Sequence, residues 1–256
     1  MPQTEISTLT YNLPKLVNEN GGQTRIFIPK YGNINERRHQ LHEVIRLSGI
    51  NLIIDDMDMP LIIKVASIPK ERMQVYFIDS EDYFKGRSGY SKDENNKLYK
   101  DNDERSIFFS KGVIETIKKL NWAPDLIHVH GWIASLLPLY MKYYYKDDPI
   151  FDGTKVVVSL YENALDGKMD KNFVKKIKYD EIDDSNLTLL NESTYENLYK
   201  IALKYADGAI LTSDLKNKFS SVLKNIDIPI LECPHSSDDY KEKYSEFYNS
   251  FLLNED

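Results

Sequence analysis

The chain has 256 residues, of which 41% are hydrophobic, a length and composition that allow one substantial core or two small ones. Its net charge of −7 opposes binding to nucleic acid backbones, it has no apolar run that could span a membrane, and no secretory signal is expected from its first residues. A single cysteine, Cys233, excludes an internal disulfide and a cysteine metal cluster, so we expect a cytoplasmic globular protein without nucleic-acid or membrane partners.

Apolar runs bounded by turn residues alternate with helical patterns along the chain. This alternation predicts an α/β fold, with a three-layer parallel sheet covered by helices on both faces. The predicted elements, in chain order, are a helix at 13–20, strands at 25–29, 61–66 and 74–78, a helix at 104–120, a strand at 125–130, a helix at 132–146, a strand at 155–160, a helix at 196–206, a strand at 208–212, a helix at 215–223, a strand at 229–232 and a helix at 239–253.

Two segments interrupt this alternation. Residues 42–68 carry isoleucines on both sides of the acidic stretch Asp55-Asp56-Met57-Asp58, and they predict a β-hairpin arm with an acidic turn. The spacing of these aspartates lacks the glycine and distal glutamate of a calcium loop, so it does not favour a metal. Residues 164–193, rich in Asp, Lys and Asn, are interpreted as a polar surface excursion within one domain.

One segment places two histidines and a tryptophan where a predicted strand ends and a predicted helix begins: Pro124-Asp125-Leu126-Ile127-His128-Val129-His130-Gly131-Trp132. Open α/β sheets bind ligands at this edge. His128 and His130 are two residues apart and share one face of the strand. Two interpretations of His128 and His130 stay open: they contact a ligand, or they are hydrogen-bonded histidines of the core. A third ligand at a spacing typical of zinc is not evident, so no metal is predicted.

Several stretches resemble glycogen and starch synthases in a collinear order. Residues 124–142, PDLIHVHGWIASLLPLYMK, are similar to the family pattern that begins P-D, continues H-x-H-D-W-H-T and ends with a helical proline. Residues 75–79 (VYFID), 82–84 (DYF), 99–109 (YKDNDERSIFF), 29–32 (PKYG) and 205–213 (YADGAILTS) resemble further family landmarks. The resemblance covers most of this chain but only the amino-terminal half of a full synthase.

The resemblance implies the amino-terminal Rossmann-like half of a two-domain (GT-B) glycosyltransferase, with residues 1–256 as a single domain and the nucleotide-binding carboxy-terminal domain absent. Such enzymes move glucose from a nucleotide sugar such as ADP-glucose to an α-glucan, without a further cofactor. Asp101 is the catalytic candidate that the resemblance supplies, with helix N-capping as the alternative role. The glycan-binding candidates are Asn102, Arg105, His128, His130 and Trp132.

The departures from the family pattern concern the donor side. Ile133 stands where the family has its active-site histidine, and Gly131 where it has the motif's aspartate. The lysine and glycines of the family's first loop are missing, and Glu5 there would repel a diphosphate. Residues 159–162 lack another family histidine, and the family's first, central strand would precede this chain.

Three hypotheses follow. The chain is the acceptor-side half of a glucosyltransferase that needs a separate nucleotide-binding domain, and we do not expect it to be active alone. Alternatively it is a non-catalytic module that binds α-glucan or maltosaccharides. A third hypothesis is a docking or regulatory subunit that contacts a glycogen enzyme through the last helix. That helix carries an aromatic stripe: Tyr240, Tyr244, Phe247, Tyr248 and Phe251. Core packing is the favoured interpretation of this stripe.

Overall fold

The strands of the protein form two sheets in the computed structural model, which describes residues 4–68, 71, 73–87, 91–161, 167–233 and 237–252. Within these residues the strands are β1 (Arg25–Pro29), β2 (His42–Glu43), β3 (Ile50–Ile54), β4 (Met57–Ile68), β5 (Met73–Asp79), β6 (Leu126–His130), β7 (Lys155–Ser159), β8 (Gly208–Leu211) and β9 (Ile230–Glu232). The predicted strands all exist; β1 has its predicted ends, and the ends of the others differ by up to four residues.

The first sheet has the order β1-β5-β4-β2 and is mixed. β1 runs parallel to β5, with Arg25 opposite Gln74, whereas β4 runs antiparallel to β5. β3 pairs with the first part of β4 in the predicted hairpin, whose turn begins at Asp55 with a φ of 58°. The hairpin prediction is confirmed, but β4 is also a full member of the sheet, so the segment is more than an arm.

The second sheet has the order β6-β7-β8-β9, and all its strands are parallel. This half of the fold confirms the predicted parallel sheet. Its middle strands β7 and β8 are buried almost throughout, as parallel strands covered on both faces must be.

The α-helices of the described residues are α1 (Glu5–Glu19), α2 (Glu81–Phe84), α3 (Asn102–Leu120), α4 (Leu137–Tyr143), α5 (Phe173–Lys178), α6 (Asp184–Leu187), α7 (Tyr195–Tyr205), α8 (Ser213–Lys218), α9 (Ser220–Leu223) and α10 (Tyr240–Leu252). Short 3₁₀ turns lie at Trp132–Ala134, Pro149–Phe151 and Thr188–Asn191. No helix of these described residues is long and apolar enough to cross a membrane.

α1 begins eight residues before its predicted start. A capping box explains the early start, because the Thr4 hydroxyl accepts from the Ser7 backbone N–H and the Ser7 hydroxyl accepts from the Thr4 backbone N–H. Pro14 lies inside the helix. The sequence prediction starts at Leu13 and leaves out Leu9, which is also buried.

The predicted helix 132–146 is divided into a 3₁₀ turn and α4. Pro138 has no N–H to donate, so the first turn of a helix is where it costs least. The helix therefore starts again at Leu137, and the preceding residues Trp132–Ala134 adopt the tighter turn.

The segment predicted as a surface excursion is largely packed. Of residues 164–193, those before Gly167 lie outside the described residues, and the remainder contains α5, α6 and a 3₁₀ turn. Its apolar side chains are buried in the main core: Phe173, Ile177, Ile182, Leu187 and Leu190. The polar residues between them hid this pattern, so the surface interpretation was wrong for the described part.

Helices cover the second sheet on both faces. The main core lies between three helices, α3, α4 and α7, and the strands β3, β4 and β5. Side chains from the face of the second sheet that points towards α3 also belong to it. On the other face α1 and α10 pack on Val157 and Ile210. Tyr244 of α10 is fully buried there, and Phe247 and Tyr248 are partly buried, which confirms core packing for the aromatic stripe.

Candidate functional site

The turn after β6 is made by Gly131, whose φ is 75° and ψ 172°. A side chain disfavours this positive φ, and a Cβ there would also lie 3.2 Å from Ile6 of α1. Glycine therefore lets the chain turn sharply at the carboxyl end of β6 and brings Trp132 out of the strand. This edge carries the residues that the sequence singled out.

His128 and His130 lie together on the α10 side of β6. Their ring centres are 3.9 Å apart. His128 Nδ1 is 2.6 Å from the Tyr248 hydroxyl, and its Nε2 is 2.8 Å from the Ser159 hydroxyl. His130 Nδ1 is 2.6 Å from the Tyr161 hydroxyl. The hydroxyl partners fix the orientation of both rings, as in hydrogen-bonded core histidines.

Arg105 of α3 is fully buried and lies on the face of β6 opposite to His128 and His130. Four aromatic rings surround its guanidinium, with centres 5.3 to 5.9 Å from Cζ: Tyr31, Phe84, Tyr99 and Trp132. Burial lowers the pKa of Arg105, and the neighbouring acidic groups oppose that shift. Contact of a cation with several aromatic faces is favourable, so these rings hold the guanidinium in place.

Asn102 joins Arg105 to the rest of this face. Its Oδ1 accepts from Arg105 Nη1 at 2.7 Å, and its Nδ2 donates to the Ser91 carbonyl and to the Tyr195 hydroxyl. The Tyr195 ring meets Trp132 edge to face at 5.6 Å, and burial raises the pKa of Tyr195 to about 12. Asn102 is buried, whereas Trp132 is partly exposed.

Asp101 occupies the N-cap position of α3, but its side chain makes no capping hydrogen bond. Its carboxylate instead accepts two hydrogen bonds from Arg87, at 3.0 and 2.6 Å. The Arg87 guanidinium in turn lies 4.4 Å from the centre of the Tyr99 ring. Asp101 and Arg87 are both partly exposed, so they line the accessible rim of the Arg105 cluster, which comprises Arg87, Asp101, Asn102, Arg105 and Trp132.

The six predicted residues thus form two groups on opposite faces of β6. Four belong to the Arg105 cluster, while His128 and His130 form a separate pair under α10. The structure brings each group together but does not line one surface with both. Sequence reasoning did not assign Arg87, Tyr161 or Tyr195 to the site, and it named Tyr248 only in the aromatic stripe of the last helix, because no local motif marks these contacts.

A buried ionic group supports the first turn of α3. Lys176 donates to Asp103 at 2.7 Å and to Glu104 at 2.6 Å, and the Tyr83 hydroxyl donates to the other oxygen of Glu104. Burial raises the pKa of Asp103, and Lys176 opposes the shift. Burial lowers the pKa of Lys176, but its hydrogen bonds to the two carboxylates prevail and the pKa is raised.

Ile133 and the first turn of α1 are two places where the sequence departs from the family pattern. Its side chain is buried, and its carbonyl accepts a hydrogen bond from Ser106 at 3.2 Å. Glu5 and Ser7 lie in the first turn of α1. Among the described residues, no group of three His, Cys, Asp or Glu side chains is placed to hold a metal ion.

The family model of the starch synthase catalytic domain matches residues 4–215. The chain belongs to this family. Glycogen synthase of Chlorobium limicola is 34% identical over 204 residues, which cover 80% of this chain and 41% of that protein. Glycogen synthase of Chlorobaculum tepidum is 37% identical over 203 residues, covering 79% of this chain and 41% of that protein.

The fold of this starch synthase family member also matches a solved structure, the catalytic domain of Starch Synthase IV from Arabidopsis thaliana bound to ADP and acarbose. The TM-score is 0.69 at 17% identity, over 93% of this chain and 50% of that chain. The family resemblance and the glycosyltransferase-like α/β fold are therefore confirmed. The chain spans about two-fifths of the length of the curated relatives that it matches.

Proposed function

We propose that this chain supplies the acceptor-side half of a glucosyltransferase and binds an α-glucan at the rim of the Arg105 cluster. The observation that carries the proposal is the partly exposed pair of Trp132 and Asp101 beside buried Arg105 at the carboxyl edge of the sheet. An aromatic ring offers an apolar face to a sugar ring, and a carboxylate accepts hydrogen bonds from its hydroxyls.

Glucosyl transfer from a nucleotide sugar needs groups that bind the diphosphate and stabilise charge as it develops. The buried Ile133 side chain offers no hydrogen bond at the family's histidine position, and Glu5 opposes a diphosphate by like charge. These features favour a chain that is inactive alone. We propose that a separate nucleotide-binding domain completes the site, with ADP-glucose as donor, no further cofactor and a cytoplasmic location.

The alternative is a non-catalytic α-glucan-binding module. The His128 and His130 pair favours it, because the hydroxyls of Tyr248, Ser159 and Tyr161 take up three of the ring nitrogens. Docking on a glycogen enzyme through the aromatic stripe of α10 has less support, since that stripe packs on the second sheet.

The first test is calorimetric titration of the purified chain with maltoheptaose and, separately, with ADP-glucose. We expect saturable binding of maltoheptaose and no binding of ADP-glucose. Binding of neither ligand contradicts the acceptor-side proposal, and tight binding of ADP-glucose contradicts the proposed loss of the donor side.

A second measurement separates the two proposed roles. Transfer of radiolabelled glucose from ADP-glucose to glycogen is followed with the chain alone and after addition of a carboxy-terminal nucleotide-binding domain from a bacterial glycogen synthase. Transfer only with both components supports the acceptor-side half. Glucan binding without transfer in either case supports the binding module.

A further inference from the structure

The hairpin strand β3 has one edge without a strand partner. In the part of the chain that the structure describes, β3 pairs with β4 alone. The backbone groups of an antiparallel strand point to one side and then the other in alternation. The Ile53 carbonyl accepts from Lys111 Nζ at 2.8 Å and so points away from β4, and by alternation the backbone N–H and C=O of Asn51 point away as well. Such an edge is a template for another strand.

A cavity of about 430 Å³ lies against this edge, and it is called the β3-edge cavity below. Residues 50–53 of β3 line it without a break. Alternate side chains of a strand point to opposite faces, so four consecutive residues line one cavity through their backbone edge. The rest of the lining comes from α3 and from the residues that follow α4 and α5: Lys111, Glu115, Tyr144, Tyr145, Tyr179, Asp180 and Glu181. No residue of the Arg105 cluster belongs to it.

The charge of the lining is negative. It contains one cation, Lys111, and three carboxylates, those of Glu115, Asp180 and Glu181, which gives a net charge of −2. Lys111 and Asp180 are both buried and form an ion pair with each other. Burial raises the pKa of Tyr144, and the charges of Asp180 and Glu115 add to the rise. The cavity therefore favours a positively charged group.

Three tyrosine rings give the cavity an aromatic wall. Tyr144 and Tyr179 are exposed, and the Tyr144 ring meets that of Tyr145 edge to face at 4.8 Å. Tyr145 is buried, and its hydroxyl has no hydrogen-bond partner among the described residues. Lys111 Nζ already lies 5.2 Å from the centre of the Tyr144 ring. Aromatic faces beside carboxylates favour a cation on an apolar stem, as in arginine and lysine side chains.

The combination of edge and charge decides which occupant fits. A second copy would bring an identical acidic lining, and a second net charge of −7, against the first. A small free cation would meet the carboxylates but leave the backbone groups of Asn51 without a partner. An extended peptide with a basic side chain meets both requirements.

We propose that the β3-edge cavity binds an extended peptide segment of a partner protein, which adds to β3 as a strand and places one arginine or lysine side chain beside Glu115. In strand addition, main-chain hydrogen bonds supply affinity and pockets for alternate side chains supply specificity. The segment is about five residues long, the length of β3. The side chains two positions before and after the cation face the tyrosine wall and are apolar. The proposal does not depend on glucan binding.

The test uses the full 256-residue chain and four synthetic heptapeptides of sequence TVTXTVT, in which X is arginine, lysine, glutamine or glutamate. The two valines share the face of the central residue, because side chains alternate along an extended chain. Fluorescence anisotropy of labelled peptides measures affinity, and NMR shifts of the backbone amides locate the peptide. Light scattering gives the molecular mass of the free chain.

Two variants separate the strand edge from the acidic lining. Asn51→Pro removes one outward N–H of β3, a position where an edge strand tolerates proline. Glu115→Gln removes the carboxylate proposed to meet the cation. Glu196→Gln is the matched control, since Glu196 also lies on a helix, pairs with a lysine one turn away and does not line the cavity. If Asn51→Pro does not fold, the amide shifts of β3 still test the edge.

We expect the arginine and lysine peptides to bind at least about tenfold more tightly than the glutamate peptide, with the glutamine peptide between them. They should shift the amide signals of Asn51 and Ile53. Glu115→Gln should remove most of the difference between the peptides, Asn51→Pro should weaken all of them, and Glu196→Gln should do neither.

Four results overturn the proposal. The first is equal affinity for the four peptides or no binding of any, and the second is a set of amide shifts that excludes β3. Displacement of the arginine peptide by maltoheptaose assigns the cavity to a saccharide. A doubled mass without peptide assigns the edge to a second copy.

Discussion

Arg87 holds the carboxylate of Asp101 through two parallel hydrogen bonds, Nη1 to Oδ1 at 3.0 Å and Nη2 to Oδ2 at 2.6 Å. Both side chains are 22% exposed, so the pair is fixed in orientation yet reachable from solvent. A carboxylate has about four acceptor positions, so two donors leave room for sugar hydroxyls. Asp101 is therefore prepared as an acceptor at the rim of the cluster.

The substitution Asp101→Asn keeps the shape and removes the charge. We expect maltoheptaose affinity to fall about tenfold and the free energy of unfolding by about 1 kcal/mol, because a charge-assisted pair is weakened. Calorimetric titration and urea unfolding measure the two effects. Asp148→Asn is the control, since Asp148 is also 22% exposed and pairs with Lys118 at 3.1 Å. Unchanged affinity in a folded Asp101→Asn variant would remove Asp101 from the glucan site.

Trp132 should report glucan binding by its fluorescence. The chain has two tryptophans, so Trp122→Phe leaves Trp132 as the sole tryptophan. We expect maltoheptaose to change the emission of this variant, because a sugar ring over the indole displaces water from it. In the reciprocal variant, Trp132→Phe, the remaining Trp122 should not respond. A response from Trp122 alone would locate the glucan elsewhere.

The Lys176 group predicts a pH dependence of stability. Because the folded-state pKa of Lys176 is raised, its contribution is complete below its ordinary pKa of about 10.5 and is lost as pH rises through the folded value. Lys176→Met leaves the buried carboxylate of Asp103 without its cation. We expect a loss of about 3–5 kcal/mol in the free energy of unfolding at pH 7.

This loss should shrink as pH falls from 7 towards about 4, since burial raises the pKa of Asp103 and the folded variant takes up the proton before the unfolded chain does. Urea unfolding across this range measures the effect. Lys178→Met removes an exposed pair with Asp184 and should change stability by less than about 0.5 kcal/mol at every pH. If the loss of stability in Lys176→Met does not depend on pH, the unpaired carboxylate of Asp103 is not its cause.

Tyr248 links α10 to the histidine pair. Tyr248→Phe removes the hydroxyl that lies 2.6 Å from His128 Nδ1, and we expect a loss of about 1 kcal/mol in the free energy of unfolding. The His128 ring signals in an NMR spectrum should shift, while maltoheptaose affinity stays unchanged because the pair lies on the other face of β6. Tyr179→Phe, at an exposed tyrosine, is the control and should alter neither quantity. A fall in glucan affinity would place the histidines within the glucan site.

Local patterns were enough to find the strands and most helices. β1 was predicted to its exact ends, and α7 to within one residue, because apolar spacing and flanking turn residues agree there. The sequence does not predict that residues 132–146 divide into a 3₁₀ turn and α4, because the apolar run is typical of one continuous helix. Pro138 is the residue that indicates the division. The packed segment after Gly167 was missed because its buried residues are separated by charged ones.

The candidate site was harder to predict than the fold. Spacing along β6 correctly placed His128 and His130 on one face, yet only three-dimensional packing separates them from Asn102 and Arg105. The contacts of Lys176 with Asp103 and of Asn102 with Tyr195 join residues 73 and 93 positions apart. A single sequence carries no local signal for such pairs.

Strand β4 runs unbroken for 12 residues, pairing with β3 over its first part and with β5 over its second. A force applied along β4 is therefore passed through one continuous backbone to both ladders. Mechanically, the first sheet and its hairpin are connected in series by this one strand.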